Sequence, residues 1–415
     1  MRYALCPLPS SKGAFLSAIC FFILALMSKP MAVTYPFILL ILDWYPFKRI
    51  YSMKTLGTAT LEKLPLISLS IVSSVVTVLA QSSIVMASTK AIPLSSRLLV
   101  GARSLIAYLG KIVLPLNLIP FYPYPKSVSF LSFGYLLPVV LVTVITITCT
   151  VIAKKHKLGL SVWAYYVMTL IPMLGILQTG GQSMADRYTY LAGLGPFVLM
   201  GLGAAWVWEK LNTLNGWRLF AKYAYAAVII LSFSYMSYLT HKQIGIWKDS
   251  IIFWSYVIEK EPARVPVAYS NRCACLAEMG QLEKAILDCD MAIAVSPSYH
   301  MAYNNRGNIY LKTGMDDRAI ADFDKAIALN PSFPNAYNNR GNAFGKTGQF
   351  EKAIADYDRA IALNPGFQAA YFNRGLMHLK THNKEIAISD FQKACDLGSE
   401  IGCKSLHDLK SMSPD

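Results

Sequence analysis

The first 248 residues of this chain contain very few acidic side chains. Asp43, Glu62, Asp186 and Glu209 are the only ones, against 21 lysines and arginines, so the net charge of this stretch is +17. The remainder carries the other 18 basic and 20 acidic residues, a net charge of −2. Only 15% of the whole chain is charged, whereas soluble domains average about 25%. The two parts are therefore suited to different solvents.

The chain also lacks a single strongly basic segment, despite a pI near 9.3. Its positive charges lie between apolar runs, which is typical of membrane orientation and not of phosphate binding. We therefore predict the lipid bilayer as a partner and exclude nucleic acid. No P-loop, GxSxG, HExxH or GxGxxG motif occurs in a suitable context.

The eight cysteines include no paired CxxC motif with partner histidines, so a zinc site is not expected. Cys273 and Cys275 are two residues apart, and on a helix their side chains would diverge, which makes a poor metal clamp. We predict no metal site and interpret the cysteines as small buried apolar side chains. An oxidising compartment would also permit a disulfide such as Cys395–Cys403.

Seven apolar stretches approach the length of a spanning helix, which is about 20 residues with a minimum near 17. Two of them open the chain as a predicted hairpin with Ser28-Lys29-Pro30 at its tip. The seven stretches are Gly13–Met27, Met31–Pro46, Leu64–Ala80, Leu131–Ala153, Leu160–Leu177, Tyr188–Trp208 and Tyr223–Leu239.

An eighth stretch, Arg97–Leu118, is apolar enough to span but contains Arg103 and Lys111. A charge at the bilayer centre costs at least ~2.5 kcal/mol, so the alternative is a helix in the membrane interface. With seven spans, basic loop residues concentrate on one side, whereas with eight the bias vanishes. We therefore predict seven spans, an inner amino terminus and an outer carboxyl terminus. The inner basic residues would be Arg2, Lys12, Lys48, Arg49, Lys54, Lys63, Lys154, Lys155, Lys157, Lys210, Arg218 and Lys222.

The second part of the chain is periodic. A tyrosine, an arginine and an alanine each recur every 34 residues, which is the tetratricopeptide period. Glycines at 280, 314 and 348 are expected to end the first helix of each unit, and prolines at 297, 331 and 365 to follow the second. The recurring residues are Tyr269, Tyr303, Tyr337 and Tyr371, Arg272, Arg306, Arg340 and Arg374, and Ala285, Ala319, Ala353 and Ala387.

The predicted fold is all-α, a polytopic transmembrane helical bundle followed by a tetratricopeptide-repeat α-solenoid. The predicted domains are a transmembrane part (1–240), a bridge with a degenerate half repeat (241–265), four repeats (266–398), and a capping helix with a tail (399–415). The half repeat would be a helix over Trp247–Glu261 and the cap a helix over Ile401–Lys410 with a polar outer face.

The solenoid is expected to have a groove that binds a protein or peptide. Side-chain amides donate and accept, so an asparagine ladder can hold an extended backbone. The alternative is that these asparagines are solvated surface. In the fourth unit Phe372 and Leu376 interrupt the ladder and form either an apolar subsite or a packing contact. The predicted groove residues are Asn304, Asn308, Lys312, Asn338, Asn342 and Lys346.

Three stretches of the first part carry a family resemblance. They are SKPMAVTYPFILLILDWYP at Ser28–Pro46, the YLGK…FYPYP run at Tyr108–Pro125, and QTGGQSMADRYTYL at Gln178–Leu191. With the repeats that follow, they resemble the transmembrane-and-tetratricopeptide O-mannosyltransferase-like proteins, polytopic glycosyltransferases of the GT-C fold. Those proteins have an acidic catalytic residue in a first external loop, but no acidic residue precedes Asp43 here. We therefore expect this chain to correspond to the family's C-terminal part: either its true start lies further upstream, or it is a truncated and inactive relative.

The resemblance implies transfer of a sugar from a polyprenyl-phosphate carrier to a hydroxyl group, with no metal or other cofactor assigned. Asp186 is the candidate base, or else forms a local ion pair with Arg187. Candidate ligands of the donor phosphate are Arg187, Arg103, Lys111 and Lys29. Lys29 could equally mark only the membrane interface.

Two functions are therefore weighed. The first is a glycosyltransferase or its remnant, with external repeats that bind the acceptor. The alternative is a non-enzymatic membrane anchor whose repeats form a scaffold for other proteins. A transporter is disfavoured because the predicted spans contain almost no acidic residue for ion coupling. The expected location is a bacterial inner membrane with periplasmic repeats, or the endoplasmic reticulum with lumenal repeats in a eukaryote.

Overall fold

The structure is a computed structural model that describes residues 12–411, except for positions 29, 90–91, 117, 120, 126–127, 176–181, 186–187 and 213–217. The chain divides into two compact units, Met1–Gln243 and Ile244–Asp415. Both are built from α-helices, which confirms the predicted all-α class. The only strands among the described residues form a two-stranded antiparallel sheet in the first unit.

Up to Ile246, the described residues form ten helices, two short 3-10 helices at Pro30–Thr34 and Ile171–Met173, and strands β1 (Tyr122–Pro123) and β2 (Gln182–Met184). The helices are α1 Lys12–Ser28, α2 Tyr35–Trp44, α3 Met53–Glu62, α4 Leu64–Thr89, α5 Leu94–Val113, α6 Phe133–Ala153, α7 Leu158–Leu170, α8 Thr189–Ala192, α9 Leu194–Asn212 and α10 Arg218–Ile246.

Each predicted span coincides largely with helix, but their lengths differ. By length and composition, the described residues contain three helical segments that could each cross a membrane: Phe133–Ala153, Thr189–Leu211 and Phe220–Ile246. A fourth is possible if Met53–Glu62 and Leu64–Leu79, bent by 61°, act as one span. The remaining apolar helices, Leu16–Ser28, Met31–Trp44 and Leu158–Met173, are shorter. A seven-span bundle therefore remains a proposal.

The core of the first unit lies around α5 and α7. Tyr108, Tyr166 and Leu170 are almost fully buried there, and the Tyr166 hydroxyl donates to the Leu105 carbonyl at 2.6 Å. The buried residues of α5 lie on one face of the helix and are Val100, Gly101, Ser104, Leu105, Tyr108 and Ile112. Helix α5 thus has one buried face and three basic residues, and its predicted position in the membrane interface stays a prediction.

A charged cluster ties the end of α2 to the turn between α3 and α4. Asp43 and Lys63 are both buried, and their side chains form an ion pair. Arg49 Nη1 donates to Asp43 Oδ1 at 3.1 Å, and its Nη2 lies 2.8 Å from Glu62 Oε2. The Asp43 carboxylate is thus held by one buried cation and one half-exposed cation.

Replacing Lys63 is expected to destabilise this first unit. Lys63→Met leaves the buried Asp43 carboxylate without its buried partner, and breaking such a pair typically costs about 3–5 kcal/mol. We expect a lower melting temperature in detergent and less inserted protein. Lys54→Met is the matched control, because Lys54 is exposed on α3. A melting temperature equal to that of the control would contradict a stabilising role for the pair.

The second unit, from Ile244 onward, contains α11 Ser250–Lys260, four helix pairs and a final helix, α20 Glu400–Ser411. The pairs form four repeats. They are α12 Pro266–Glu278 with α13 Leu282–Val295, α14 His300–Lys312 with α15 Asp316–Leu329, α16 Pro334–Lys346 with α17 Phe350–Leu363, and α18 Gln368–Lys380 with α19 Lys384–Asp396.

The turn inside each repeat requires a left-handed residue. Gly280, Gly314 and Gly348 have φ values of 76°, 79° and 77° there, a conformation that only glycine adopts without a steric penalty. In the fourth repeat His382 occupies the corresponding position with φ 62°. The glycine spacing therefore predicted three of the four turns, and the backbone keeps the same shape without glycine in the last.

Candidate functional site: the inner face of the repeat array

The candidate site is the open side of the four first helices, α12, α14, α16 and α18, which we call the inner face. Successive first helices pack against each other more closely than successive second helices do. An array built this way curves toward its first helices, so their open side is concave. This is the arrangement in which an extended ligand can contact several repeats at once.

A buried ion pair joins the two helices of each repeat. Arg306 Nε and Nη2 donate to the two carboxylate oxygens of Asp322 at 2.8 and 2.7 Å. Arg306 Nη1 also donates to Asp290 of the preceding repeat at 2.6 Å. Arg340 and Arg374 make the same contacts in their repeats. Each arginine therefore fixes its own helix pair and the neighbouring repeat.

The first repeat shows how the array begins. Arg272 holds Asp288 in the same bidentate way, at 2.6 and 2.7 Å. Its Nη1 donates instead to Ser255 of α11 at 3.0 Å, where later repeats present an aspartate. Helix α11 therefore packs as the second helix of a preceding half repeat.

These arginines remain cations at every physiological pH. The hydrogen bond that Arg306 donates to the Asp322 carboxylate raises the pKa of Arg306, and the bonds to Asp356 and Asp390 do the same for Arg340 and Arg374. Their charge is neutralised inside the array, so they add little to the field over the inner face. Any selectivity for charge there must come from other side chains.

Where the two helices of a repeat approach most closely, an aromatic ring of the second helix fills the space that a side chain of the first helix would need. A Cβ atom added to Gly307 would lie 2.7 Å from the Phe323 ring, closer than real Cβ contacts allow. The same clash arises at the other two positions of this kind, Gly341 against Tyr357 and Gly375 against Phe391. Glycine is required at these positions because the ring occupies the space of a side chain.

In the first repeat a disulfide takes the place of the glycine and the aromatic ring. Cys273 stands at the glycine position and Cys289 at the aromatic position. Both are fully buried and bonded to each other, with their Cα atoms 5.6 Å apart. A second disulfide joins Cys395 of α19 to Cys403 of α20. Cys273 and Cys289 are buried as expected, but they are also bonded to each other, which the sequence did not predict, and the pair Cys395–Cys403 is present.

Two predicted groove asparagines lie inside the array. Asn304 and Asn338 are both only 6% exposed. Their Oδ1 atoms accept from the amides of Asn339 and Asn373 of the following repeat, at 3.0 and 3.1 Å. The asparagine ladder thus bonds repeat to repeat, and these two oxygens are not presented to a ligand.

The third repeat uses further predicted groove residues for its own structure. Asn342 Oδ1 accepts from the Tyr357 hydroxyl at 2.7 Å and from Asn373 at 3.0 Å. Lys346 Nζ donates to the Leu311 carbonyl at 3.0 Å and pairs with Asp316 at 2.8 Å. Both side chains are therefore engaged by neighbouring groups of the array.

In the second repeat, two predicted groove residues are available to a ligand. Asn308 is half-buried and Lys312 is exposed, four residues apart on α14. Neither has a hydrogen-bond or ion-pair partner among the described residues. Side chains four apart lie on one face of a helix. Asn308 and Lys312 form the open polar part of the inner face.

Phe372 and Leu376 of the fourth repeat are packing residues. They lie against the buried cluster of Ala387, Phe391 and Leu406, and the Phe372 and Phe391 rings are 5.6 Å apart. Of the two alternatives left open by the sequence, the structure gives the packing contact.

In the first unit, the predicted donor-phosphate residues fall into two groups. The Arg103 guanidinium lies 5.3 Å from the Tyr135 ring centroid, and the Lys111 ammonium lies 4.9 Å from that of Tyr122. Arg187 and Lys29, like the candidate base Asp186, lie outside the described residues. The structure therefore places two of these five predicted residues, each over an aromatic ring.

Two of the stretches that carry the family resemblance are hydrogen-bonded to each other. The Tyr108 hydroxyl accepts from the Ala185 amide at 2.9 Å and donates to its carbonyl at 3.3 Å. Strands β1 and β2 also pair, with Tyr122 opposite Met184. The run Tyr108–Pro125 is thus bonded to the stretch that contains Asp186.

The residues of these ion pairs recur in the sequence with the same period as the repeats. Aspartates recur every 34 residues on the second helices, at Asp288, Asp322, Asp356 and Asp390 and at Asp290, Asp324 and Asp358. Each arginine lies 16 residues before the aspartate of its own repeat, and this recurrence marks both as residues with a structural role without showing that they are bonded. The cysteine pair has the same spacing, because Cys273 and Cys289 are also 16 residues apart.

Comparison with known proteins bears on the second unit only. Family profiles described as "Tetratricopeptide repeat" and "TPR repeat" match residues 334–367 and 307–348. The repeat array consists of tetratricopeptide repeats. No curated protein matches this chain significantly.

Several solved structures are similar to part of this chain. A crystal structure of MamA has 23% identity and a TM-score of 0.33, with 38% of this chain and 92% of that one covered. A thermophilic repeat protein of Thermus thermophilus has 17% identity and a TM-score of 0.34, covering 42% and 92%. The first repeat domain of human RPAP3 has 26% identity and a TM-score of 0.27, covering 28% and 93%.

Proposed function

We propose that this chain is a membrane-anchored tetratricopeptide scaffold whose inner face binds an extended segment of a partner protein. The observation that carries this proposal is the open amide and ammonium of Asn308 and Lys312 on the concave side of the array. An amide offers both a donor and an acceptor to a peptide backbone. The ammonium beside it selects a carboxylate or another acceptor.

The charge of the inner face favours an acidic segment. Lys312, Lys346 and Lys380 recur every 34 residues at the ends of α14, α16 and α18. Lys312 and Lys380 are exposed, and Lys346 retains 46% of its side-chain accessibility despite its ion pair. Because Lys346 is already paired with Asp316, the ammonium groups of Lys312 and Lys380 are the ones that raise the local concentration and the association rate of an acidic ligand.

The apolar helices of the first unit support membrane anchoring. The most apolar windows of Phe133–Ala153 and Phe220–Ile246 are 6% and 0% buried. Their exposed side chains include Val144, Ile147, Ile230, Leu231 and Phe233. Apolar surface of this extent is unfavourable in water and is typical of a lipid-facing surface.

The two disulfides support an outer location for the repeats. Disulfides persist in oxidising compartments such as the bacterial periplasm and the lumen of the endoplasmic reticulum. Cys273–Cys289 lies in the first repeat and Cys395–Cys403 at the last. This agrees with the basic-loop bias of the sequence, which also assigns the carboxyl terminus to the outside. We propose a bacterial inner membrane with periplasmic repeats.

Charge reversal at Lys312 is expected to weaken partner binding. The full chain in nanodiscs would be tested against a panel of short fluorescent peptides rich in either Glu and Asp or Lys and Arg. Lys312→Glu should lower affinity for the acidic peptides by about tenfold, since loss of a favourable charge contact of about 1.4 kcal/mol has that effect.

Lys325→Glu is the matched control, because Lys325 is exposed on the second helix α15. It makes the same change of net charge away from the inner face. Equal affinities for the two variants would show that the inner face does not select the ligand. No binding of any peptide by the wild type would count against the scaffold function itself.

A glycosyltransferase is the second candidate. The bonding between Tyr108 and Ala185 favours it, since it brings together two stretches that resemble that family. The experiment is incorporation of labelled sugar from polyprenyl-phosphate donors into protein, in membranes that contain the wild type or Asp186→Asn. Transfer by the wild type that is lost in Asp186→Asn would establish the glycosyltransferase. No transfer by the wild type would leave the scaffold as the supported function.

A further inference from the structure

The outer side of the first repeat is apolar where the other repeats are polar or small. On α13, Leu287 is 64% exposed and Met291 is 46% exposed. They are four residues apart, so they lie on one face of the helix. We call these two residues the outer pair.

The residues at the corresponding positions of the later repeats differ in a consistent way. At the Leu287 position they are Ala321, Ala355 and Ser389, and at the Met291 position they are Lys325, Arg359 and Lys393. All six are exposed. A third exposed residue of the first repeat, Met279, corresponds to Thr313, Thr347 and Thr381. The difference is confined to the repeat that comes first after the last apolar helix.

Helix α11, which precedes the first repeat, also carries exposed apolar side chains. Ile252 on α11 is 50% exposed. Trp247, Phe253 and Trp254 form a chain of edge-to-face contacts, with ring centroids 4.9 and 4.8 Å apart. Trp247 keeps 46% of its accessible surface. Exposed tryptophan is typical of the boundary between lipid and water.

The chain length limits how far this surface can lie from the bilayer. Helix α10 ends at Ile246 and α11 begins at Ser250, a separation of at most about 14 Å of extended chain. Lys242 and Lys248 flank that junction and are exposed, where they can contact lipid phosphates. The first repeat therefore starts at the headgroup region if α10 spans the membrane.

From these observations we infer that the outer pair, together with Ile252, docks on the lipid surface and holds the first repeat against the bilayer. The inference rests on the proposed membrane anchoring. Its occupant is lipid and not a protein, because at these two positions only the repeat that directly follows the last apolar helix is apolar, and the exposed Lys242 and Lys248 flank that junction. In the later repeats, Lys325, Arg359 and Lys393 favour water at the same position. The inner face of the array would remain open to its ligand.

The test is photo-crosslinking of the full chain in native membranes. Met291→benzoylphenylalanine is compared with Lys325→benzoylphenylalanine, the equivalent position of the second repeat, and adducts are identified by mass spectrometry. We expect several-fold more phospholipid adduct at position 291 than at 325, because the same reporter would lie against lipid at position 291 and in water at position 325. Equal adduct at the two positions, or a protein adduct at 291, would overturn the inference.

A second variant tests the outer pair with the photo-reactive group placed outside it. Leu287→Ala/Met291→Lys gives the first repeat the residues of the second, with Ile252→benzoylphenylalanine as the reporter. Phospholipid adduct at position 252 should fall in this background, and an unchanged yield would overturn the inference. Carbonate extraction separates the two proposals. A chain that carbonate releases from membranes would overturn the anchoring, whereas a retained chain without adduct would overturn only the docking of the first repeat.

Discussion

Arg340→Met is expected to unfold the middle of the repeat array. The substitution leaves the Asp356 carboxylate, only 6% exposed, without the guanidinium that binds both of its oxygens at 2.7 and 2.8 Å. An unpaired buried charge typically costs about 3–5 kcal/mol. The substitution also removes the hydrogen bond from Arg340 to Asp324 of the preceding repeat. Hydrogen exchange of the full chain should show the loss of protection in α16 and α17.

The control for this prediction is Arg359→Met. Arg359 is exposed on α17, so its loss should change stability by no more than about 0.5 kcal/mol. The double variant Arg340→Met/Asp356→Leu removes the orphaned carboxylate together with its partner and should recover part of the protection. Equal exchange in Arg340→Met and in the control would mean that the pair does not stabilise the array.

Removal of the first disulfide should have an effect of similar size. Cys273 and Cys289 are separated by 16 residues, and for a loop of that length the chain-entropy account gives about 3 kcal/mol. We expect Cys273→Ala/Cys289→Ala to lower the free energy of unfolding of the array by about that amount. Denaturant unfolding of the detergent-solubilised chain, with and without reductant, measures it.

A rescue variant separates the disulfide from simple loss of volume. Cys273→Gly/Cys289→Phe gives the first repeat the glycine and ring found at Gly307 and Phe323. It should be more stable than the double alanine variant and insensitive to reductant at this site. Cys275→Ala is the control, because Cys275 is a free thiol. If reductant shifted the wild type and the double alanine variant equally, Cys273–Cys289 would not be the source of the stability.

The inner face shows where residue patterns stop being informative. Asn304 and Asn308 occur on the same face of α14 with the same chemistry, and the sequence assigned both to a ligand groove. The structure buries Asn304 against Asn339 of the next repeat and leaves Asn308 half-buried, with no partner among the residues described. The spacing fixes the face on which an asparagine lies, but the distance to the neighbouring repeat decides whether its amide is used internally.

The sequence by itself determined the repeats. A 34-residue period of tyrosine, arginine and alanine predicted four helix pairs, and the prediction of tetratricopeptide repeats is confirmed. It did so because helix propensity, turn glycines and small residues at close contacts act within one unit and recur with it. The apolar runs likewise predicted where the helices of the first unit lie, because their length is a local property.

Only the tertiary structure decided which side chains are joined between helices. The bond between Cys273 and Cys289, the clamp of Arg340 on Asp356 and Asp324, and the contact of Tyr108 with Ala185 each unite residues from different elements. Such contacts depend on how closely two helices pack and on which rotamers the packing allows. Physical proximity between elements, unlike periodicity, is set by the whole folded unit.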